Sequence, residues 1–135
     1  GSVLTPHTGE MADLTGMTIE EVQDDRIGVA ERSAQAWNQV VVLKGALTVV
    51  AEPGGRAAII PMATPALARA GTGDILAGMI TGLIAQGLDG FNAACVAAYL
   101  HGMAGQAAGD AIGNSASILA GDILEFLPQQ ITRIK

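Results

Sequence analysis

The sequence feature that most constrains how this chain can fold is a glycine turn that leads directly into a long apolar helix. Gly71, Thr72, Gly73 and Asp74 come just before an apolar run with helical spacing that continues to about Gln86. Glycine lets the backbone approach an anion closely because it has no Cβ. The first N–H groups of a helix have no partner within the helix, and the helix dipole makes that end positive. The pattern therefore predicts a cradle for a phosphate or oxyanion, with Asp74 beside it as a proton acceptor.

The same residues also fit an ordinary helix start, in which Thr72 or Asp74 is the N-cap and the glycines form a turn. A match as short as Gly-x-Gly-Asp often arises by chance, so the rest of the chain has to decide between the two interpretations. A dinucleotide-binding Rossmann unit is disfavoured, because the run from Gly71 to Leu76 lacks the third glycine of that fingerprint at the required spacing.

Composition favours helices packed closely against a buried sheet. The chain has 135 residues, which suits one domain, and 50% of them are hydrophobic but only 3% are aromatic. Its net charge of −6 argues against nucleic acid as the main partner. The uncharged segment 90–109 contains polar residues and many Ala and Gly, so it predicts a buried helix and not a membrane span. The single cysteine, Cys95, is interpreted as a small buried hydrophobe, which is compatible with the cytoplasmic location that we expect.

The predicted elements are typical of a layered α/β fold. Strands are predicted at 3–5, 40–43, 47–51 and 57–60, and the β-branched run 40–43 is typical of a buried parallel strand. Helices are predicted at 11–14, 18–36, 72–86 and 90–108, followed by a segment from about 121 that Pro128 interrupts. Thr18 and Glu21 fit a capping box at the start of the second helix. Gly78 and Gly82, four residues apart on one helical face, predict close packing there.

Functional loops in such folds follow the carboxyl ends of strands, as loops 6–10, 44–48 and 71–74 do here. These loops belong to a series of four sequence blocks: VLTPHTGEM at 3–11, LKGALT at 43–48, PALARAGTGDILAG at 65–78 and AYLHGMAG at 98–105. Together the blocks resemble the ADP/ATP-dependent NAD(P)H-hydrate dehydratases, a branch of the ribokinase-like superfamily. The resemblance runs over nearly the whole chain, and four blocks in register make it specific.

The resemblance implies an α/β domain with a three-layer ribokinase-like sheet and flanking helices. Family members carry a further N-terminal half with part of the substrate site. Residues 3–135 are therefore expected to be the C-terminal portion of such a domain, and Gly1 and Ser2 are set aside as a cloning remnant.

The reaction implied by the resemblance is a repair of damaged cofactor. Hydrated NADH or NADPH is returned to the intact form at the expense of ADP or ATP, with Mg²⁺ as cofactor. The nucleotide phosphorylates the ring hydroxyl, and phosphate then leaves by elimination. Asp74 is implied as the catalytic acid/base in contact with the substrate. Gly71, Thr72 and Gly73 are implied to bind the nucleotide and to stabilise charge on the transferring phosphoryl group.

The block at 43–48 is implied to hold the adenine nucleotide through backbone groups and the Thr48 hydroxyl. Its nucleotide-binding residues are Lys44, Gly45, Ala46, Leu47 and Thr48. From the residues alone, Lys44 also fits a solvated charge at the end of a strand.

Four further residues are interpreted one by one. His7 is implied to contact the hydrated substrate, although it also fits an exposed loop histidine. Glu10 fits either a carboxylate that steadies Mg²⁺ through water or a charge at the start of a helix. His101 is interpreted as a packed, hydrogen-bonded core histidine and not as a ligand. Arg26, with the two aspartates before it, is interpreted as part of a solvated helix face.

Two other functions stay open. A small-molecule kinase of the same superfamily, acting on a vitamin-precursor alcohol, would use the same Gly-x-Gly-Asp turn. A non-catalytic piece that folds and assembles without turnover is the third possibility, because an open sheet edge invites pairing. The expected partners are hydrated NAD(P)H, an adenine nucleotide, further copies of the chain in a homo-oligomer, and an NAD(P)H-hydrate epimerase domain or protein.

Overall fold

A computed structural model describes residues 1–134 of the chain. The strands are β1 (Val3–Leu4), β2 (Val40–Leu43), β3 (Thr48–Ala51) and β4 (Ala57–Ile60). The helices are α1 (Thr8–Thr15), α2 (Ile19–Asp24), α3 (Arg26–Trp37), α4 (Thr72–Ala85), α5 (Gly90–Ile112) and α6 (Ala120–Arg133). Two short 3₁₀ helices lie at Pro65–Leu67 and Ser115–Ser117.

The four strands form one sheet in the order β1-β2-β3-β4, in which only β1 and β2 run parallel. The predicted buried parallel strand at 40–43 is therefore parallel to β1 and antiparallel to β3. Residues 44–47 alone join β2 to β3, and a parallel crossover needs a dozen or more residues. The two strands accordingly form an antiparallel pair, with Val42 opposite Val50.

Alternate side chains of β2 belong to two separate cores, as the two-residue period of a strand requires. Val41 and Leu43 share a buried cluster with residues of α1, α2 and α3. Val42 belongs to a second cluster, which contains Leu76 of α4 and Phe91 of α5. The sheet is therefore the middle of three layers, which confirms the predicted α/β architecture with flanking helices.

The predicted helix at 18–36 is broken in two at Asp25. The capping box at its start is present: the Thr18 hydroxyl accepts the Glu21 N–H, and the Glu21 carboxylate accepts the Thr18 N–H. Asp25 leaves the helical region with φ −138° and ψ 56°, and its carboxylate accepts the N–H of Gly28. Short acidic side chains compete in this way with helical backbone hydrogen bonds, so a new helix begins at Arg26.

Helix α6 continues through Pro128, where an interruption was predicted. Proline removes one helical hydrogen bond, to the carbonyl four residues earlier, which here belongs to Leu124. Both Pro128 and Leu124 are exposed, so water can satisfy that carbonyl. Buried Ile123 and Gln130 anchor the helix on either side of the proline.

Helix α5 is longer than predicted and ends at Ile112, followed by Gly113 in the left-handed region. It is buried along most of its length, as the sequence predicted. Across residues 1–134, no helix is both long enough and apolar enough to cross a membrane.

Glycines permit close packing on α5, whereas Gly78 and Gly82 of α4 do not have this role. A Cβ at Gly78 or Gly82 would meet no atom within 4 Å, so the close packing predicted at those positions is wrong. A Cβ at Gly102 would instead collide with the Cβ of Met62. The absence of a side chain at Gly102 therefore lets the segment after β4 lie directly on α5.

We expect Gly102→Ala to destabilise the fold and Gly78→Ala, its matched control, to stabilise it. Alanine is favoured over glycine inside a helix by roughly 0.5–1 kcal/mol, and Gly78 has room for the methyl group. At Gly102 the same gain is outweighed by overpacking, which costs about 1–3 kcal/mol. Urea or thermal denaturation of both variants measures the difference. A Gly102→Ala protein as stable as Gly78→Ala would contradict the packing described here.

Candidate functional site

The three predicted loops surround one cavity of about 890 Å³. Its lining includes most of the predicted site residues: His7, Lys44, Gly45, Ala46, Thr48, Gly71, Thr72, Gly73 and Asp74. Leu47 and Glu10 do not line it. The Leu47 side chain is exposed, while Glu10 lies close enough to Lys44 to form an ion pair. The fold thus brings together residues that are far apart in the sequence.

The N-terminus of α4 presents unpaired backbone donors at this cavity. Gly71 is the N-cap with φ 86°, a left-handed value that favours glycine. Thr72 is buried, and its hydroxyl lies 2.7 and 2.8 Å from two carbonyl oxygens of the preceding turn. Within residues 1–134, the N–H groups of Gly73 and Asp74 have no backbone acceptor and no side-chain cap. The alternative in which Thr72 or Asp74 caps the helix is therefore wrong, and the free donors suit an anion.

Lys44 adds a positive charge next to these donors. It follows β2, and its side chain is only 26% exposed. The Nζ atom lies 3.8 Å from Oε2 of Glu10, and a Cβ at Gly73 would be only 3.1 Å from Nζ. The ammonium therefore lies over the first turn of α4, so the alternative of a solvated charge at a strand end is wrong.

His7 and Glu10 begin α1 with a reciprocal capping box. The Nδ1 atom of His7 accepts the Glu10 N–H at 3.1 Å, and Oε2 of Glu10 accepts the His7 N–H at 2.7 Å. The His7 N–H lowers the pKa of Glu10, and the ammonium of Lys44 lowers it further. Glu10 therefore has the helix-start role that was one of its two interpretations, and it carries a negative charge beside the lysine.

Arg26 is a residue of this region that the sequence interpretation missed. It was predicted on a solvated helix face, but its guanidinium is partly buried and contacts the loop that carries Lys44. Nη2 donates to the carbonyl oxygens of Leu43 and Lys44 at 3.0 and 3.1 Å. These acceptors lie 17 and 18 residues away along the chain, so no local sequence pattern indicates the contact.

His101 of α5 also lines the cavity. Its predicted burial is confirmed, since only 5% of the residue is exposed. The predicted hydrogen bonding is incomplete, because Nε2 has no partner among the described residues. Burial lowers the pKa of His101 to about 4, so the imidazole is neutral near pH 7.

We expect His101 to make stability depend on pH between about 4 and 6.5. The folded-state pKa lies below the unfolded value, so the folded protein binds fewer protons in this window. The contribution of this group is fully present above about pH 6.5 and is lost as the pH falls towards 4, by an amount on the order of 3 kcal/mol.

Denaturation of wild type and His101→Gln across this pH range isolates the effect, because the carboxylates are common to both proteins. The variant should lose less stability on acidification than wild type. Parallel curves for wild type and His101→Gln would contradict the expected shift.

The sequence of this chain is similar to those of known proteins. A family model described as NAD(P)H-hydrate dehydratase matches residues 1–129. The bifunctional NAD(P)H-hydrate repair enzyme Nnr of Moorella thermoacetica is 47% identical over 133 residues, which are 98% of this chain and 25% of that protein. The chain therefore spans a quarter of the length of this relative.

Solved structures agree on the fold. An ADP/ATP-dependent NAD(P)H-hydrate dehydratase from Bacillus subtilis, co-crystallised with ATP/Mg²⁺, superimposes with a TM-score of 0.92 at 36% identity, covering 98% of this chain and 48% of that one. A ribokinase-like superfamily protein from Enterococcus faecalis superimposes with a TM-score of 0.81 at 28% identity, covering 97% and 44%. The predicted ribokinase-like fold is therefore confirmed, and the chain corresponds to about half of each structure.

Proposed function

Since this chain belongs to the NAD(P)H-hydrate dehydratase family, we propose that it is the C-terminal portion of an enzyme that uses ADP or ATP to return hydrated NADH or NADPH to the intact cofactor. One observation carries the proposal. Free backbone donors, an ammonium and an exposed carboxylate converge at the start of α4, on the wall of one cavity. That combination is what phosphoryl transfer from a bound nucleotide to a hydroxyl requires.

In the proposed reaction, the N–H groups of Gly73 and Asp74 and the Lys44 ammonium bind phosphate oxygens and stabilise the charge on the transferring group. Gly71 and Thr72 hold the turn that presents these donors. The Asp74 carboxylate accepts the proton of the substrate hydroxyl as its oxygen attacks the phosphoryl group. Elimination then breaks the C–O bond to phosphate and a C–H bond on the neighbouring ring carbon, so that inorganic phosphate and a proton leave and the ring double bond is restored. Asp74 suits this role because it is exposed in the first turn of α4 and caps nothing.

The loop after β2 is the proposed nucleotide site. Gly45, Ala46 and Thr48 line the cavity, and Leu47 would contribute only backbone. The Thr48 hydroxyl donates to the Gly45 carbonyl at 3.3 Å, so it holds the loop in shape. Its oxygen can still accept a hydrogen bond from the ligand.

Mg²⁺ is the proposed cofactor, and it would neutralise charge on the nucleotide phosphates. Within residues 1–134, no three His, Cys, Asp or Glu side chains form a metal-binding group. This suits Mg²⁺, which is usually held by substrate phosphates, waters and one or two carboxylates. Glu10 would contribute through water, since its charged carboxylate lies next to Lys44. The His7 imidazole, which is 60% exposed and lines the cavity, is the proposed contact with the hydrated ring.

Three further parts of the proposal concern the whole protein. A cytoplasmic location stays a prediction. An epimerase domain or partner is proposed because the Moorella relative is named bifunctional, and the segment that matches this chain is only 25% of that relative's length. We also propose that copies of the chain associate, because large apolar side chains such as Leu14 and Leu119 are 58% and 69% exposed.

Light scattering across a concentration series is the measurement for association. Apparent mass should rise above that of one chain as the concentration increases. A monomer at all concentrations would contradict the proposed assembly.

Asp74→Asn in the complete protein is expected to lower turnover by roughly 10²–10⁴-fold, the usual contribution of positioned acid/base catalysis. Asparagine is nearly isosteric but does not accept the proton. Because Asp74 caps nothing, the melting temperature should stay the same, and the backbone donors should still bind nucleotide. Regenerated NADH absorbance measures turnover, and calorimetry measures nucleotide affinity. Phosphorylated product without regenerated NADH would favour the small-molecule kinase instead.

Asp110→Asn is the matched control for this experiment. It makes the same charge change at an exposed position of α5 that does not line the cavity, and it should keep wild-type turnover. If Asp74→Asn keeps more than about a tenth of wild-type turnover, the acid/base role is wrong.

A further inference from the structure

One guanidinium connects four parts of the chain behind the cavity. Nη2 of Arg26 donates to the carbonyl oxygens of Leu43 and Lys44 at 3.0 and 3.1 Å, and it lies 3.4 Å from that of Leu47. Nη1 donates to the Thr8 hydroxyl at 3.0 Å and to the Gln23 side-chain oxygen at 3.1 Å. The start of α3 is thereby tied to α1, to α2, to the end of β2 and to the loop 44–47.

The chemistry of these contacts requires arginine. Three carbonyl oxygens that converge on a small region repel each other, and a positive charge with several donors relieves that repulsion. Partial burial lowers the pKa of Arg26, but a guanidinium stays protonated in proteins. Lysine offers only a point charge on a flexible stem, whereas the planar guanidinium fork can donate to several acceptors at once.

Gly45 leaves the space that this contact needs. A Cβ at Gly45 would lie 2.6 Å from Nη2 and 3.0 Å from Cζ of Arg26. Its φ is not in the left-handed region, so space and not backbone conformation explains the glycine. The glycine of the Lys-Gly pair in the loop therefore makes room for Arg26, which lies nineteen residues before Gly45 in the sequence.

The backbone of Lys44 is hydrogen-bonded on both sides. Its N–H donates to the Pro6 carbonyl at 2.9 Å, and its own carbonyl is held by Arg26. With the backbone fixed on both sides, the side chain extends over the first turn of α4, where its Nζ is 3.1 Å from the place of a Gly73 Cβ. Arg26 does not itself line the cavity, so any effect on a ligand has to pass through the loop.

We propose that Arg26 is a positioning residue for the phosphate site: by holding the carbonyls of 43, 44 and 47 it places the Lys44 ammonium against the phosphates of the bound nucleotide. This inference rests on the proposed function, because it assumes that an adenine nucleotide occupies the cavity. It assigns Gly45 a second role, which is to make room for the guanidinium.

A double-mutant cycle between Arg26→Gln and Lys44→Ala in the complete protein tests the inference, with the Kd for ATP as the readout. Each single variant should weaken binding by about tenfold or more, as expected for the loss of a hydrogen bond to a charged group. The double variant should bind no more than about threefold more weakly than either single variant, because residues that act through one another are not additive. A merely structural effect of Arg26 would instead multiply with that of Lys44.

Two further variants keep the test decisive if Arg26→Gln does not fold. Gly45→Ala forces the guanidinium away from the loop, and its effect on ATP binding should not multiply with that of Lys44→Ala, whereas a methyl group that only obstructed the ligand would act independently of Lys44. Arg26→Lys should bind ATP about as weakly as Arg26→Gln. Arg32→Gln is the matched control, because Arg32 lies on the same helix and forms an exposed ion pair with Asp25 at 3.1 Å. This control should bind ATP as wild type does.

The outcomes separate the two proposals. If wild type binds ATP and Arg26→Gln binds it equally well, or if the effects of Arg26→Gln and Lys44→Ala multiply, the positioning role is overturned while the proposed function stands. If wild type does not bind ATP at millimolar concentration, the proposed function is overturned, and this inference with it.

Discussion

The close approach of other segments to α5 is the constraint on which the rest of the structure depends. This helix contacts α4, α6 and all four strands, which is possible because much of its buried surface consists of alanine and glycine. Gly102 leaves room for Met62, and a Cβ at Gly105 would lie 2.8 Å from Leu67. Since protein interiors are close-packed, the chain after β4 is held along α5. That path leads to the turn at Gly71 and so determines where α4 begins.

The electrostatics of the cavity differ from those of the whole chain. The formal net charge is −6, yet the wall formed by α4 and the loop after β2 offers free N–H groups and the Lys44 ammonium. Glu10 partly balances this ammonium, and a neutral His101 adds no charge. An acidic protein can therefore bind a phosphate-bearing ligand locally, because the donors that matter are fixed backbone groups and one lysine.

The sequence predicted a helix end correctly where that end depends only on residues within about one turn. The capping box of Thr18 and the start of α4 at Thr72 agree with the structure, since each depends on residues within one helical turn. The break at Asp25 was missed because its side chain could equally have pointed to solvent within a continuous helix. The continuation of α6 through Pro128 depends on packing by residues on both sides of it, which a proline rule does not contain.

In the candidate site too, contacts between residues close in the sequence were predicted, whereas contacts between residues far apart in the sequence were not. The Gly-x-Gly-Asp turn predicted free donors at a helix start, and among the residues that the structure describes these N–H groups have no acceptor. The sequence did not predict Arg26, because its carbonyl acceptors become neighbours only when β2 pairs with β1 and α3 packs beside them. Among residues 1–134, Nε2 of His101 has no hydrogen-bond partner, and the sequence could not predict this, since an apolar helix predicts burial but not the supply of partners.

The phosphate site that we propose consists mostly of backbone groups, so it would depend little on which side chains the turn carries. The N–H groups of Gly73 and Asp74 persist whatever side chains the turn carries, provided that the left-handed N-cap at Gly71 is kept. Anion binding alone therefore does not distinguish a dehydratase from a kinase of the same fold, because both reactions need the same donors. The distinction has to lie in the groups that contact the acceptor and its leaving phosphate. In the function that we propose for this chain, those groups would be Asp74, His7 and the loop that Arg26 contacts, so the specificity of the reaction would depend on the side chains around the phosphate site and not on its backbone donors.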